Sequence, residues 1–191
     1  LPCDESGPLA VYAFKTVADP FVGKLSYVKV LSGVLKPDSA VVNSRTGESE
    51  RLGKLLFLQG KKQMDAAQIC AGDIGAITKL TSTRTGDTLC APGRIFKAPA
   101  PVFPVPTYSM ALKVKQKGDE GKISGALTRL MEEDCTLSYK MNTETLQQVI
   151  SGLGEQHLDA VVSKLKSKFG VEVELTVPRI PYRESLRKKV K

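Results

Sequence analysis

At 191 residues, with 28 Lys and Arg against 20 Asp and Glu, the chain carries a formal net charge of +8 and an ordinary apolar share of 41%. That length accommodates two small domains with separate cores, and no apolar run approaches the ~20 residues of a membrane-spanning helix. Four scattered cysteines, no Cys-x-x-Cys pair and a single His argue against a zinc site, so Cys3, Cys70, Cys90 and Cys135 are expected to be isolated buried thiols in a reducing compartment.

The chain opens Leu1-Pro2-Cys3-Asp4, with neither an initiator Met nor a charged-then-apolar leader, and reads as a piece cut from a longer chain, residues 1–7 being the end of a preceding linker. Residues 8–95 then read as β throughout. Leu9–Thr16 is a strand. Gly23–Ser32 is another, with Leu25, Tyr27 and Val30 expected on a two-residue period. Val34-Leu35 leads into the turn Lys36-Pro37-Asp38-Ser39, where proline presets the torsion of the second position. Ala40–Asn43, a hairpin over Arg45–Glu48, a strand Arg51–Gln59, another at Gly75–Leu80 and a closing Thr85–Leu89 complete the half. Many short strands with regular turns and no helical stripe predict an all-β barrel.

Pro99, Pro101, Pro104 and Pro106 crowd residues 96–106. Proline cannot donate to a sheet ladder and holds its predecessor extended, so this is a stiff linker and a domain boundary. Residues 107–180 alternate in period. A strand Thr107–Lys115 turns Tyr108, Met110, Leu112 and Val114 to one side. A helix from about Asp119 to Glu133 follows, with Ile123, Leu127, Leu130 and Met131 inward. Strands Thr136–Met141 and Thr145–Ser151 come next, with Leu146, Gln148 and Ile150 on one face. Gly152-Leu153-Gly154 then turns the chain into a helix whose stripe is Leu158, Val161, Val162, Leu165 and Phe169, ended by Gly170. Val171, Val173, Leu175 and Val177 make the last strand. The order βαββαβ predicts an α+β ferredoxin-like domain with both helices on one face of the sheet. Residues 181–191 are the start of a next domain or a tail.

The other face of that sheet carries Lys113, Lys115 and Lys140. No aromatic accompanies them for base stacking, and Glu172 and Glu174 share the face, so a self-paired, solvated surface is expected there. Basic excess lies elsewhere: 12 Lys and Arg against 7 Asp and Glu over Pro8–Arg94, but 10 against 10 over Pro104–Ile180, with five basic residues against one acid in the last 11. Such surface attracts phosphate backbones irrespective of sequence, although charge alone also fits a merely solvated face. Lys24, Lys29, Arg45, Arg51, Lys54 and Arg84 lie in or beside turns and strand edges and are the candidate contacts.

Catalytic motifs are missing. Gly-Lys occurs at Gly23-Lys24, Gly53-Lys54, Gly60-Lys61 and Gly121-Lys122, never followed by the Ser or Thr of a phosphate loop. Gly152-x-Gly154 lacks the third glycine of a dinucleotide fingerprint, and Glu155 puts a carboxylate where a phosphate would sit. One His and no Gly-x-Ser-x-Gly elbow leave little for nucleophilic catalysis. The segment itself is read as no enzyme, with no cofactor and no metal.

The run Ile150-Ser-Gly-Leu-Gly-Glu-Gln-His-Leu-Asp159 resembles the signature of the third domain of elongation factor G, a ribosomal translocation GTPase. Asp19-Pro20-Phe21-Val22-Gly23-Lys24-Leu25 with Val30–Leu35, Ala71-Gly72-Asp73-Ile74-Gly75-Ala76 and Thr85-Gly86-Asp87-Thr88-Leu89 resemble that family's second-domain barrel, and Tyr182-Arg183-Glu184 its passage into a fourth domain. The resemblance covers about residues 8–90 and 103–184. It implies the middle segment of a cytoplasmic, monomeric translational GTPase whose N-terminal domain, outside this segment, binds GTP and Mg and couples hydrolysis to translocation. Implied partners are the ribosome (small-subunit rRNA and protein, large-subunit rRNA) and the protein's own GTPase domain, with no membrane. It also implies that Pro104, Pro106 and His157 match the inter-domain pocket where fusidic acid binds in the family, and that Gly154, Glu155 and His157 face the GTPase domain. The plainer readings are linker stiffness for the prolines, a dipole-complementing Glu155 and a surface His157. Gln156 stands where the family usually has Leu, and Pro37-Asp38 where it often has Pro-Gly. A ribosomal protection protein of the tetracycline-resistance type, or an independent RNA-binding module, are the alternatives.

Overall fold

The computed structural model describes residues 1–19, 22–60, 62–115 and 118–185. The chain divides into two compact units, one of Leu1–Phe103 with Glu132–Cys135, the other beginning at Pro104. Pro20, Phe21 and Lys61, and the basic run 186–191, lie outside the described residues.

The first unit is a β-barrel. Its strands are β1 (Ala10–Asp19), β2 (Gly23–Ser32), β3 (Val34–Leu35), β4 (Ala40–Asn43), β5 (Ser49–Arg51), β6 (Leu55–Gln59), β7 (Lys62–Ala66), β8 (Ile69–Cys70), β9 (Ile74–Thr78) and β10 (Thr88–Cys90). Eight of them form one antiparallel sheet in the order β5-β4-β10-β1-β2-β9-β6-β7, and β3 pairs with β8. The sheet wraps one core, so Val41 of β4 and Leu55 of β6, far apart in strand order, share a cluster with Val11, Val28, Ile77 and Leu89.

Three local expectations are corrected here. Val28 and Val30 face the barrel core, whereas Leu25 and Tyr27 point the other way, into a smaller cluster with Leu56, Leu58 and Ala76. Apolar residues on both faces of β2 hide the true period. The expected strand Arg51–Gln59 is broken at Leu52–Lys54, where Leu52 drops into the core and Gly53 runs so close to β9 that a Cβ would lie 2.6 Å from the Thr78 carbonyl oxygen. Cys3 and Cys135 are exposed; only Cys90 is fully buried.

The second unit is the ferredoxin-like domain: β11 (Tyr108–Val114), α1 (Glu120–Glu133), β12 (Ser138–Asn142), β13 (Gln147–Gly152), α2 (Glu155–Phe169) and β14 (Val173–Thr176). The antiparallel sheet runs β12-β13-β11-β14, which sets the first strand between the last and the third. Leu112 and Ile150 pack with Ile123, Leu127 and Leu130 of α1 and Leu158, Val161 and Leu165 of α2. Leu146 does not share the Ile150 face. It precedes β13 at φ 53°, 77% exposed, because the hairpin needs a left-handed residue there. Register places Lys113 opposite Glu174, while Glu172 pairs with Lys166 of α2 at 2.9 Å.

Gly170 ends α2 in the left-handed region at φ 66°; its amide donates to the Lys166 carbonyl and the Val171 amide to the Leu165 carbonyl. The first of these, from the left-handed glycine to the carbonyl four residues back, is the bond of an αL closure. No heavy atom lies within 4 Å of a Cβ built on Gly170, so Gly170→Ala meets only the torsional penalty. A loss of about 1 kcal/mol is expected in a denaturant titration, and a loss above about 2 kcal/mol would point to crowding instead.

Candidate ribosomal interface

Two places in the molecule gather the residues singled out in the sequence. The first is a loop at one end of the barrel, residues 79–87, between β9 and β10. Lys79 enters it in the left-handed region, at φ 64°. Two acidic side chains organise the rest, Glu50 from β5 and Asp87 at the loop's own end. Glu50 of β5 accepts the Thr81 amide at 3.2 Å, the Thr81 hydroxyl at 3.1 Å and the Ser82 amide on Oε1, and the Thr83 hydroxyl at 2.6 Å on Oε2. Asp87 accepts Arg45 Nε at 2.6 Å on Oδ1, and Arg45 Nη2 at 3.0 Å, Asn43 Nδ2 at 2.9 Å and the Arg84 amide at 2.9 Å on Oδ2. Burial alone would push both carboxyls up. The hydrogen bonds from Thr83, Ser82 and Thr81 outweigh it at Glu50, and those from Arg45, Asn43 and the Arg84 amide outweigh it at Asp87, so both sit below the ordinary carboxylate range.

Five of the six candidate cations belong to this end. Lys24, half-buried, donates from Nζ to the Thr81 carbonyl at 3.3 Å. Arg45 is bound to Asp87 on two nitrogens and to the Ser82 carbonyl at 3.2 Å, so its guanidinium serves the loop rather than a partner. Arg51 and Arg84 are exposed. Lys54 is exposed with Asp65 at 3.7 Å, and its backbone exchanges with β9 through the Thr78 amide. Lys29 lies apart: five residues along β2 from Lys24, it pairs with Ile74 and lines a cleft of about 560 Å³ with Cys3, Tyr12 and Phe96. Sequence reasoning missed Lys79, whose exposure follows from the loop and from no local pattern. It missed Glu50 and Asp87 as organisers because their side-chain partners Thr81, Thr83, Asn43 and Arg45 lie more than 30 residues away.

The second place is the turn between β13 and α2. The Thr107 amide donates to the Gly152 carbonyl at 3.1 Å and Tyr108 pairs with Gly152, so the end of the proline segment, with exposed Pro104 and half-buried Pro106, runs beside the turn. Glu155 is exposed and opens α2; Gly154 precedes it, extended, with no side-chain cap. His157 differs from expectation. Its ring folds back over the turn, half-buried, and Nδ1 accepts the Leu153 amide at 3.0 Å. That amide precedes the helix and would otherwise lack an intrahelical acceptor. Gly152 is required by this packing: a Cβ there would lie 2.8 Å from His157 Nδ1 and 2.9 Å from Leu158 Cδ2. The clamp leaves Leu153 pointing out, 46% exposed, an apolar residue that the sequence reading passed over.

Residues 8–92 match the family model "Elongation factor G domain 2", and residues 103–177 match "Elongation Factor G, domain III". The chain belongs to the elongation factor G family. The two matched segments are the second and third domains in the factor's numbering, and together they take up most of this chain. A crystal structure of a protein from Thermus thermophilus superposes with a TM-score of 0.81 at 31% identity over 93% of this chain. This chain spans only 27% of that protein's length. It is therefore similar to the middle of an elongation-factor-G-like translation factor.

Proposed function

We propose that this segment is the ribosome-binding middle of an elongation-factor-G-like translational GTPase. GTP and Mg would be held by a separate domain of that protein, whose hydrolysis the segment couples to translocation. In this reading the barrel rests on small-subunit ribosomal RNA through the basic loop end, and the Gly152–His157 turn faces the GTPase domain. The observation that carries it is the concentration of exposed Arg51, Lys54, Lys79 and Arg84 around one acid-organised loop, in a chain that matches both family domains in order. Phosphate contacts supply most sequence-independent RNA affinity.

The test is equilibrium binding of the chain to small-subunit ribosomal RNA at two salt concentrations. For ~3 phosphate contacts, affinity should fall roughly 20- to 40-fold between ~50 and ~200 mM salt. Arg51→Ala/Lys54→Ala/Arg84→Ala should bind about tenfold or more weakly, while Lys113→Ala/Lys140→Ala, on the sheet face shared with Glu174, should stay within about twofold. Salt-independent binding, or a larger loss from the second pair, would overturn the assignment of affinity to the barrel.

A further inference from the structure

Glu50 is an expensive residue to bury, at 8% exposure, and its hydrogen-bonding partners among the described residues are two amides and two hydroxyls of the 81–83 segment rather than a cation. Four donors converge on its two oxygens, which only an ionised carboxylate accepts throughout; a glutamine would turn its own NH₂ toward donors. The segment it gathers is short and polar, and Thr83 within it is fully buried. Exposed cations stand on both sides of that segment and on Glu50's own strand: Lys79 before it, Arg84 after it, and Arg51 next to Glu50. Arg84 is pinned again through its amide to Asp87.

We propose that Glu50 is a positioning residue for RNA binding: it ties the 81–83 segment to β5 so that Arg51, Lys79 and Arg84 form one preset row for a phosphate backbone. A negative side chain thereby strengthens binding to a negative partner. A loop ordered in advance does not have its ordering entropy charged to association, whereas a loose one does. The proposal rests on the RNA-binding reading above and adds to it a residue that touches no RNA.

The sign of one substitution separates positioning from charge. Glu50→Gln raises the net charge by one, so long-range electrostatics alone would tighten binding to small-subunit ribosomal RNA. Positioning requires it to bind about five- to tenfold more weakly, with the salt slope shallower by about 0.7–0.9, one phosphate contact. Thr83→Val keeps shape and charge, removes one donor to Glu50, and should weaken binding in the same direction by about two- to fivefold. In a Lys79→Ala/Arg84→Ala background, Glu50→Gln should have no further effect, because the row it presets is gone. Circular dichroism and melting follow each variant; if Glu50→Gln does not fold, Thr83→Val in the two backgrounds decides. Folded variants that bind as tightly as the parent chain, or a Glu50→Gln effect that persists in the Lys79→Ala/Arg84→Ala background, would overturn the positioning role alone. A parent chain without salt-dependent RNA affinity would overturn the RNA reading and this one together.

Discussion

Asp87→Ala is expected to destabilise the barrel by about 3 kcal/mol, lowering its melting temperature by roughly 10–20 °C for a domain of ~100 residues. Asp87 is 5% exposed and Asn43 fully buried, so the substitution strands Asn43 Nδ2 and the Arg84 amide away from water, each costing ~1–3 kcal/mol. Arg45 adds little to that loss, because its side chain is 41% exposed and can rehydrate. Asp87→Asn keeps one carbonyl acceptor and should lose about half as much. Acid titration supplies an independent check. The carboxyls of Asp87 and Glu50 lie lower in the folded chain than in the unfolded one, where they titrate near ~3.9 and ~4.3. The stability they contribute is therefore fully present above about pH 5 and is lost as the pH falls through their folded values. Melting curves of the parent chain should be flat near neutrality and fall steeply below ~pH 4.5, and Asp87→Ala should fall less over that range. Parallel acid curves for the two proteins would show that Asp87 carries no such load.

His157→Ala should separate folding from function. Removing an acceptor at a half-buried turn costs about 1 kcal/mol, a small shift in the melting of this chain. The cost to coupling should be larger. In the full-length GTPase proposed above, loss of the clamp on the Leu153 amide loosens the turn that faces the GTPase domain, and ribosome-stimulated GTP turnover should drop within the ~5–150-fold range of ordinary coupling energies. His157→Asn tests the reason: its Oδ1 can replace Nδ1 as the acceptor, so it should recover much of the turnover. Unchanged turnover in His157→Ala would leave the clamp with a purely local role. Equal losses in both variants would put the imidazole itself, rather than the position of the turn, in contact with the partner.

Elements whose periods and end signals are local could be read from the residues. Gly23–Ser32 and Ala40–Asn43 were delimited residue for residue, because Gly, Pro and Asp bound short apolar runs. The βαββαβ order, the α2 stripe and the Gly170 stop were equally plain, since helical spacing and a glycine terminator need no distant partner. Strand β7 is hard to read for a physical reason: Lys62–Ala66 is an edge strand bonded to β6 alone, four of its five residues are exposed, and only Met64 and Ala66 mark an apolar face. Strand β8 is two residues long and exists only because β3 lies opposite.

The candidate interface divides along the same line. Charge counts place the basic excess in the first half and the tail, and position beside turns and strand edges singles out Arg51, Lys54 and Arg84, which stand exposed. The same reasoning singles out Arg45, whose guanidinium is bound by Asp87, 42 residues away, and a place on the first helical turn predicts an outward His157, whereas the ring turns back onto the Leu153 amide. Local period and sums over residues are enough for the two domains, their order and the placement of the basic excess in the first half and the tail. Which of these cations are tied into the fold is settled in three dimensions alone: Arg45, although its side chain is 41% exposed, meets a carboxylate 42 residues away, and Lys24 meets the Thr81 carbonyl 57 residues away, partners that no local pattern encodes.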